Sequence, residues 1–417
     1  MYSRRQVLSW AFYDWANSAF ATVVLSGFYP IFFKQFWSAG VAASESTFRL
    51  GVANSVSSLI VVLMAPILGA IADRVGGRKR FLAAFAALGA LSTGSLFLVG
   101  QGQWWIASLA FVIGVLGFAG ANVFYDALLI AVSGEDNRER VSALGFSLGY
   151  LGGGVLFAIN VLMTLNPDWF GLADAAEAVR WSFLSVSIWW LVFTIPLLVW
   201  VPEPAALADR TRGHWMRDSF RELLQTIRDL RAHRNLVRFL IAYWLYIDAV
   251  DTIIRMAVDF GLSVGLDSGD LIKALLMTQF IGFPAALVFG LIGQRLGAKA
   301  GILIALSVYI LVTLYAVFLD TAQEFFVLAA VIGLVQGGVQ ALSRSLYSRL
   351  IPPERSAEFF GFYNMLGKFA AVLGPVLVGA VTLMTGSGGL GLMSLLILLV
   401  SGALLLRGVT VPDRRSA

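Results

Sequence analysis

The sequence predicts an all-α polytopic membrane protein, with twelve transmembrane helices in two pseudo-symmetric six-helix halves. Composition is the first reason. Hydrophobic residues make up 59% of the chain and charged residues only 13%, where soluble domains carry about 25% charged residues. Spacing is the second. Apolar stretches long enough to cross a ~30 Å hydrocarbon core recur along the chain, and the alternating segments of an outer-membrane barrel are absent. The third is a repeat. Trp10-Ala-Phe-Tyr-Asp14-Trp-Ala-Asn17-Ser18 returns 234 residues later as Trp244-Leu-Tyr-Ile-Asp248-Ala-Val-Asp251-Thr252. A carboxylate within an apolar run costs at least ~2.5–3.5 kcal/mol on insertion and therefore faces a bundle interior or a water-filled cavity. Its recurrence at the head of each half marks two related halves.

In chain order, helices are expected near 10–36, 48–71, 81–100, 104–131, 142–165, 181–201, 236–262, 271–293, 300–319, 323–347, 359–384 and 389–407. Twelve spans put both termini on one side. Of the 30 Lys and Arg, 24 fall at the termini, in the even-numbered connections or in the helix ends beside them, which assigns that side to the cytoplasm. The same bias accounts for the net charge of +5 without a nucleic-acid partner. Ser3-Arg4-Arg5-Gln6 resembles a twin-arginine signal, but Asp14 and Asn17 interrupt the apolar core behind it, so it reads as a cytoplasmic anchor for a retained helix. With no cysteine, disulfides, thiolate metal sites and cysteine nucleophiles are excluded.

The longest connection divides the chain into residues 1–202, a linker 203–235 and residues 236–417. Within the linker, Ser219 and Glu222 have capping-box spacing. Phe220, Leu223, Leu224, Ile227 and Leu230 then recur at helical spacing, as in a helix lying on the membrane surface.

The connection after the second helix reads Gly69-Ala-Ile-Ala-Asp73-Arg74-Val-Gly76-Gly77-Arg78-Lys79-Arg80. Its counterpart after the eighth, at an offset of 221, is Gly290-Leu-Ile-Gly-Gln294-Arg295-Leu-Gly297-Ala298-Lys299. Glycines let helix ends approach and turn tightly. An acid followed by bases suits a latch of charge-assisted bonds, with Asp73, Arg74 and Arg78 as its candidates. The pattern resembles the signature of the major facilitator superfamily. Here Gly77 is inserted and Gln294 replaces the second acid, so the latch is expected to be stronger in the first half.

Tyr13-Asp-Trp-Ala-Asn-Ser-Ala-Phe20, Gln336-Gly-Gly-Val-Gln-Ala-Leu-Ser-Arg-Ser-Leu346 and Glu358-Phe-Phe-Gly-Phe-Tyr363 refine the resemblance. They look like the vacuolar-effluxer-like branch, the autophagy-related vacuolar permeases and their bacterial relatives. That resemblance implies a twelve-helix secondary transporter, with amino-acid efflux suggested for the fungal branch, and a monomer.

The seventh helix carries Asp248, Asp251, Arg255 and Asp259 on one side. Arg255 is at i±4 spacing from Asp251 and Asp259, so three acids share one base, as a proton-binding step requires. A structural ion-pair ladder is the competing reading. Asp14 and Asp248 are expected at related positions around a central cavity, with Asp248 as the favoured coupling acid. In the fourth and tenth helices, an offset of 218 pairs Asn122 with Gln340 and Asp126 with Arg344, with Gln336 one turn earlier. Either Asp126 and Arg344 form a gate, or each pairs locally, Arg344 with Glu358 and Asp126 with Arg138 or Arg140. Glycines at 145, 149, 152, 153 and 154, and at 361, 367 and 374, permit close helix crossings.

These readings converge on secondary active transport of a small polar solute in the bacterial inner membrane, proton-coupled, with export and an amino-acid substrate suggested. Asp can meet the amine and Arg the carboxylate of a zwitterion. Transport of a metabolite anion or a drug-like solute is the alternative within the class. An intramembrane aspartyl enzyme and a non-transporting receptor are the alternatives outside it. The only histidines, His214 and His233, lie in the linker, and H-E-x-x-H does not occur. The expected partners are the solute, protons and the bilayer, with no cofactor and no metal.

Overall fold

The computed structural model of the chain describes residues 3–204, 234–263, 268–318, 321–369 and 373–411. The surface helix expected in the linker, and the side chains of Arg74, Arg255 and Asp259, lie outside the described residues. Twelve helical rods account for nearly all of the rest: α1 (Arg4–Trp37), α2 (Ala43–Val75), α3 (Arg78–Leu98), α4 (Trp104–Ala127), α5 (Arg138–Leu165), α6 (Ala175–Trp200), α7 (Arg234–Ser263), α8 (Ser268–Leu296), α9 (Ala298–Phe318), α10 (Ala322–Leu350), α11 (Ser356–Phe369 with Leu373–Thr385) and α12 (Gly388–Arg407). No strand occurs among the described residues. Ten of the rods are long and apolar enough to cross a membrane. The other two are α7, which carries the charge stripe, and α11, whose apolar portion Leu373–Thr385 is short.

Local signals set the helix ends. Ser3 and Gln6 form a capping box at the start of α1, and Thr321 and Glu324 form another at α10, satisfying N–H groups that a first turn leaves open. The inserted glycine has a visible consequence. Gly76 and Gly77 both adopt positive φ, 74° and 83°, whereas the second copy turns on Gly297 alone at 91°. Such values favour glycine, so the first turn is one residue longer.

The two motif glycines make equivalent crossings. α2 packs on α11 and α8 packs on α5, contacts that exchange when each half is replaced by the other. A Cβ on Gly69 would lie 2.1 Å from the Ala357 carbonyl oxygen at the head of α11, and one on Gly290 would lie 2.6 Å from Ala143 at the head of α5. The motif lysines are equivalent too. Lys79 Nζ donates to the Val201 carbonyl, where α6 ends, and Lys299 Nζ donates to the Arg407 and Val409 carbonyls, where α12 ends. A cation is favoured at a helix C-terminus, and each lysine fastens the third helix of its half to the sixth.

One continuous apolar core runs through both groups of helices. Large apolar side chains on the outer surfaces, such as Leu59, Leu91, Leu109, Val199, Leu311, Val327 and Ile397, remain exposed, which suits a surface solvated by lipid. The connections holding Arg78–Arg80, Arg138, Arg295 and Arg349 share one end of the bundle, called here the basic face.

Candidate functional site

Near the basic face, Arg344 of α10 crosses into the space between α1, α4 and α5. Its Nη1 lies 3.1 Å from Asp126 Oδ1 and 3.5 Å from Asp14 Oδ2. Its Nε donates to Ser142 Oγ at 3.0 Å and its Nη2 to the Ser142 carbonyl at 2.8 Å. The rings of Phe146, Trp10 and Tyr125 approach the guanidinium carbon with centroids at 4.3, 4.9 and 5.3 Å, a cation–π box around a buried charge. Tyr125 donates its hydroxyl to Asp14 Oδ2 at 2.9 Å, and Asn364 of α11 donates to Asp126 Oδ2 at 3.0 Å. All three charged residues are buried. Gly145 makes room for them, because a Cβ there would sit 2.9 Å from Asp14 Oδ2 and 3.0 Å from Arg344 Nη2.

Of the two pairings left open by the sequence, the structure contains the one between Asp126 and Arg344. The local alternatives are replaced. Glu358 is held by Arg355 at 2.9 Å, and Arg138 donates to the Ser348 carbonyl at 3.3 Å. Asp14 is a partner of Arg344 that the repeat did not reveal. Tyr125, Ser142 and Asn364 were likewise not singled out; adjacency to Asp126 and to the Glu358–Tyr363 motif was the only available signal.

The repeated motif is partly a packing device. Ser18 and Thr252, the equivalent residues, each lie against a glycine of a partner helix. A Cβ on Gly149 would be 2.6 Å from Ser18 Oγ, and one on Gly374 would be 2.0 Å from Thr252 Oγ1. The two acids differ. Asp14 reaches across to Arg344, whereas Asp248 stays among helices 7 to 12. Its Oδ1 accepts the Gly374 N–H at 3.1 Å and the Thr252 hydroxyl at 3.4 Å, and its buried Oδ2 has no side-chain or backbone hydrogen-bond partner among the described residues. Asn17 Nδ2 donates to Asn122 Oδ1, linking α1 to α4. Tyr150 donates to Gln340 Oε1 at 3.3 Å. Gln336 and Asp251 are half-buried. Trp15 is half-buried and stacks on Trp189 of α6, centroids 5.4 Å apart.

The latch residues join the helix groups at the basic face. Asp73 accepts the backbone N–H groups of Ala357 and Glu358 at 3.2 and 2.8 Å, and Arg78 pairs with it at 2.6 Å. Arg78 also donates to the Glu354 carbonyl at 3.1 Å. An acid thus takes the first N–H donors of α11, an arrangement favoured at a helix N-terminus. In the second copy Gln294 donates instead to the Asp136 carbonyl at 3.1 Å. A bidentate pair adds to the closure, with Arg349 Nε and Nη2 each 2.9 Å from the Glu139 carboxylate. Hydrogen bonds between helices 1–6 and 7–12 extend from this face as far as mid-depth, at Tyr150–Gln340 and Gln279–Thr22. The molecule is therefore sealed at the basic face.

Comparison with known proteins follows the same lines. The sequence profile of the vacuole effluxer Atg22-like family matches residues 39–137 and 131–417. The uncharacterized MFS-type transporter YxiO of Bacillus subtilis is 37% identical over 414 residues, 99% of this chain and 96% of the relative. Autophagy-related protein 22 of Yarrowia lipolytica is 25% identical over 413 residues, 78% of this chain and 69% of the relative. Among solved structures, the human organic anion transporter MFSD10 superposes with a TM-score of 0.74 at 17% identity, covering 97% of this chain and 99% of its own. That likeness is one of fold.

Proposed function

The chain belongs to the vacuole effluxer Atg22-like family of MFS-type transporters, and from that premise we propose that it carries a small polar solute, in the first instance an amino acid, by proton-coupled alternating access. In this reading the units 1–202 and 236–417 rock about a midplane site, and the linker 203–235 joins them. The basic face is cytoplasmic in the bacterial inner membrane, as the Lys/Arg bias requires. Its relatives are transporters rather than enzymes, and no catalytic constellation is assigned.

The observation that carries the proposal is the Arg344 knot, in which residues of α1, α4 and α5 meet residues of α10 and α11 in one buried network. A buried bond set that joins two helix groups at one face is what alternating access requires of a closed gate. Arg344 uses Nε, Nη1 and Nη2 on protein acceptors. In this conformation it serves as gate rather than as a carboxylate receptor, which favours recognition of the amine end of a solute by Asp251 or Asp248. Asn17, Asn122, Gln336 and Gln340 supply polar groups around the same depth. Export follows from the family resemblance, and a monomer suits the self-contained bundle.

Counterflow in proteoliposomes tests the reading. Vesicles loaded with an unlabelled neutral amino acid should accumulate the labelled one transiently. Absence of counterflow across the neutral, acidic and basic amino acids would remove the amino-acid assignment. Absence of any pH-gradient effect on net flux would remove proton coupling.

A further inference from the structure

The Arg344 knot contains one more acid than its base can neutralise. Asp14 and Asp126 approach the same Nη1, at 3.5 and 3.1 Å. Their side chains are only about a tenth exposed, at 10% and 9%, and that of Arg344 is 3% exposed. The other polar groups facing them are neutral: Tyr13 from α1, Tyr125 from α4, Ser142 from α5 and Asn364 from α11. Among the described side chains no second cation faces the pair. With both acids ionised, the knot would hold a net negative charge away from water. Two carboxylates on one site resist being ionised together, and an uncompensated buried charge is far costlier than a neutral hydrogen-bonded acid.

We propose that Asp14 and Asp126 together hold one proton while the basic face is sealed, and that opening this face releases that proton there. The inference rests on the transport reading and names the proton-carrying acids within it. The proton belongs to the pair rather than to one residue. The geometry ranks the two: Asp126 has the shorter guanidinium contact and the Asn364 amide as a second donor, whereas Asp14 has the longer contact and the neutral Tyr125 hydroxyl. The charge therefore sits mainly on Asp126 and the proton on Asp14. When the helix groups part, Arg344 and Asn364 withdraw together, because both belong to helices 7–12. Water then hydrates both carboxylates, the carboxyl O–H bond breaks, and the proton passes to that water. The sealed form thus binds one more proton than the open form, so rising pH favours opening. With the basic face in the cytoplasm, the proton is delivered inward, the direction in which a proton gradient does work.

The absence of native cysteine makes the test direct. Arg140→Cys on α5 and Arg295→Cys on α8 place spin labels at exposed positions on the two sides of the basic face, in the full chain in lipid nanodiscs. The open-to-sealed ratio should rise about tenfold per pH unit over part of the range between about pH 5 and about pH 8, the signature of one linked proton. Asp14→Asn is shaped like the protonated acid and leaves a neutral Asp126–Arg344 pair. It should hold the face sealed with no pH slope, while Asp248→Asn keeps the wild-type slope. A flat or inverted wild-type slope would overturn the proposal, as would a slope that survives Asp14→Asn or disappears in Asp248→Asn. The wild-type slope decides alone if a variant fails to fold. A slope without amino-acid counterflow would leave the proton pair standing and remove only the solute assignment; coupled flux with no slope would do the reverse.

Discussion

Asp73→Asn is the sharpest probe of the latch, because its effect can be worked from the bonds. Asp73 Oδ1 and Oδ2 receive the Ala357 and Glu358 N–H groups at 3.2 and 2.8 Å, across the boundary between helices 1–6 and 7–12. Arg78 pairs with the same carboxylate from within its own half, and that pair can persist when the face opens. Of the bonds Asp73 makes, the two to α11 are therefore the ones that differ between the sealed and open forms. Hydrogen bonds to a charged group contribute about 1.5–3 kcal/mol each and neutral ones about 0.5–1.5 kcal/mol. Asparagine keeps one acceptor as a neutral bond and turns an N–H toward the other donor. A net loss of about 3 kcal/mol from the sealed form follows, roughly a 100-fold shift toward opening. Spin-label distances across the basic face should lengthen, transport should fall, and solute affinity in detergent should change little. An unchanged distance distribution, or equal losses of binding and transport, would refute the reasoning.

Two further perturbations address the gate and the repeat. The charge swap Asp126→Arg with Arg344→Asp should regain part of the transport lost in either single variant, because Asp14 can still flank the relocated base. Two well-folded singles with no recovery in the double would separate the residues functionally. Gly374→Ala should lower thermal stability by about 1–3 kcal/mol, the usual penalty of overpacking, since its Cβ would fall 2.0 Å from Thr252 Oγ1. Adding Thr252→Ala should restore much of that loss in a thermal melt, and full additivity of the two changes would show that the crossing is not their shared contact.

Architecture was legible in the sequence because hydrophobic length and loop charge are local properties. The α2–α3 and α8–α9 turns could be aligned residue by residue, and their glycines and lysines proved to make equivalent contacts. What remained hidden was whatever depends on which helices meet. Asp14 and Asp248 read as equivalents, yet Asp14 meets Arg344 from the other half while Asp248 caps Gly374 within its own. No spacing rule links residues 330 positions apart, and the gate and local-pairing readings had equal support until α10 could be placed beside α1 and α4. Asn364 escaped notice for the same reason: a single amide in an apolar helix gains meaning only from Asp126 opposite it. The charge stripe on α7 was read as a proton-binding set within a span, and α7 is one of the two rods that fall outside the ten long and apolar ones.

Alternating access is most directly tested by measuring both faces of the same molecule. The Arg140→Cys and Arg295→Cys pair reports the basic face. Asp168→Cys, in the α5–α6 connection, and Leu383→Cys, near the end of α11, report the opposite one, both at exposed positions. Conditions that open the basic face, either raised pH or Asp73→Asn, should lengthen the first distance and shorten the second in the same population. Faces that widen together, or a basic face that opens while the opposite distance stays fixed, would contradict a rocking transporter gated at Arg344.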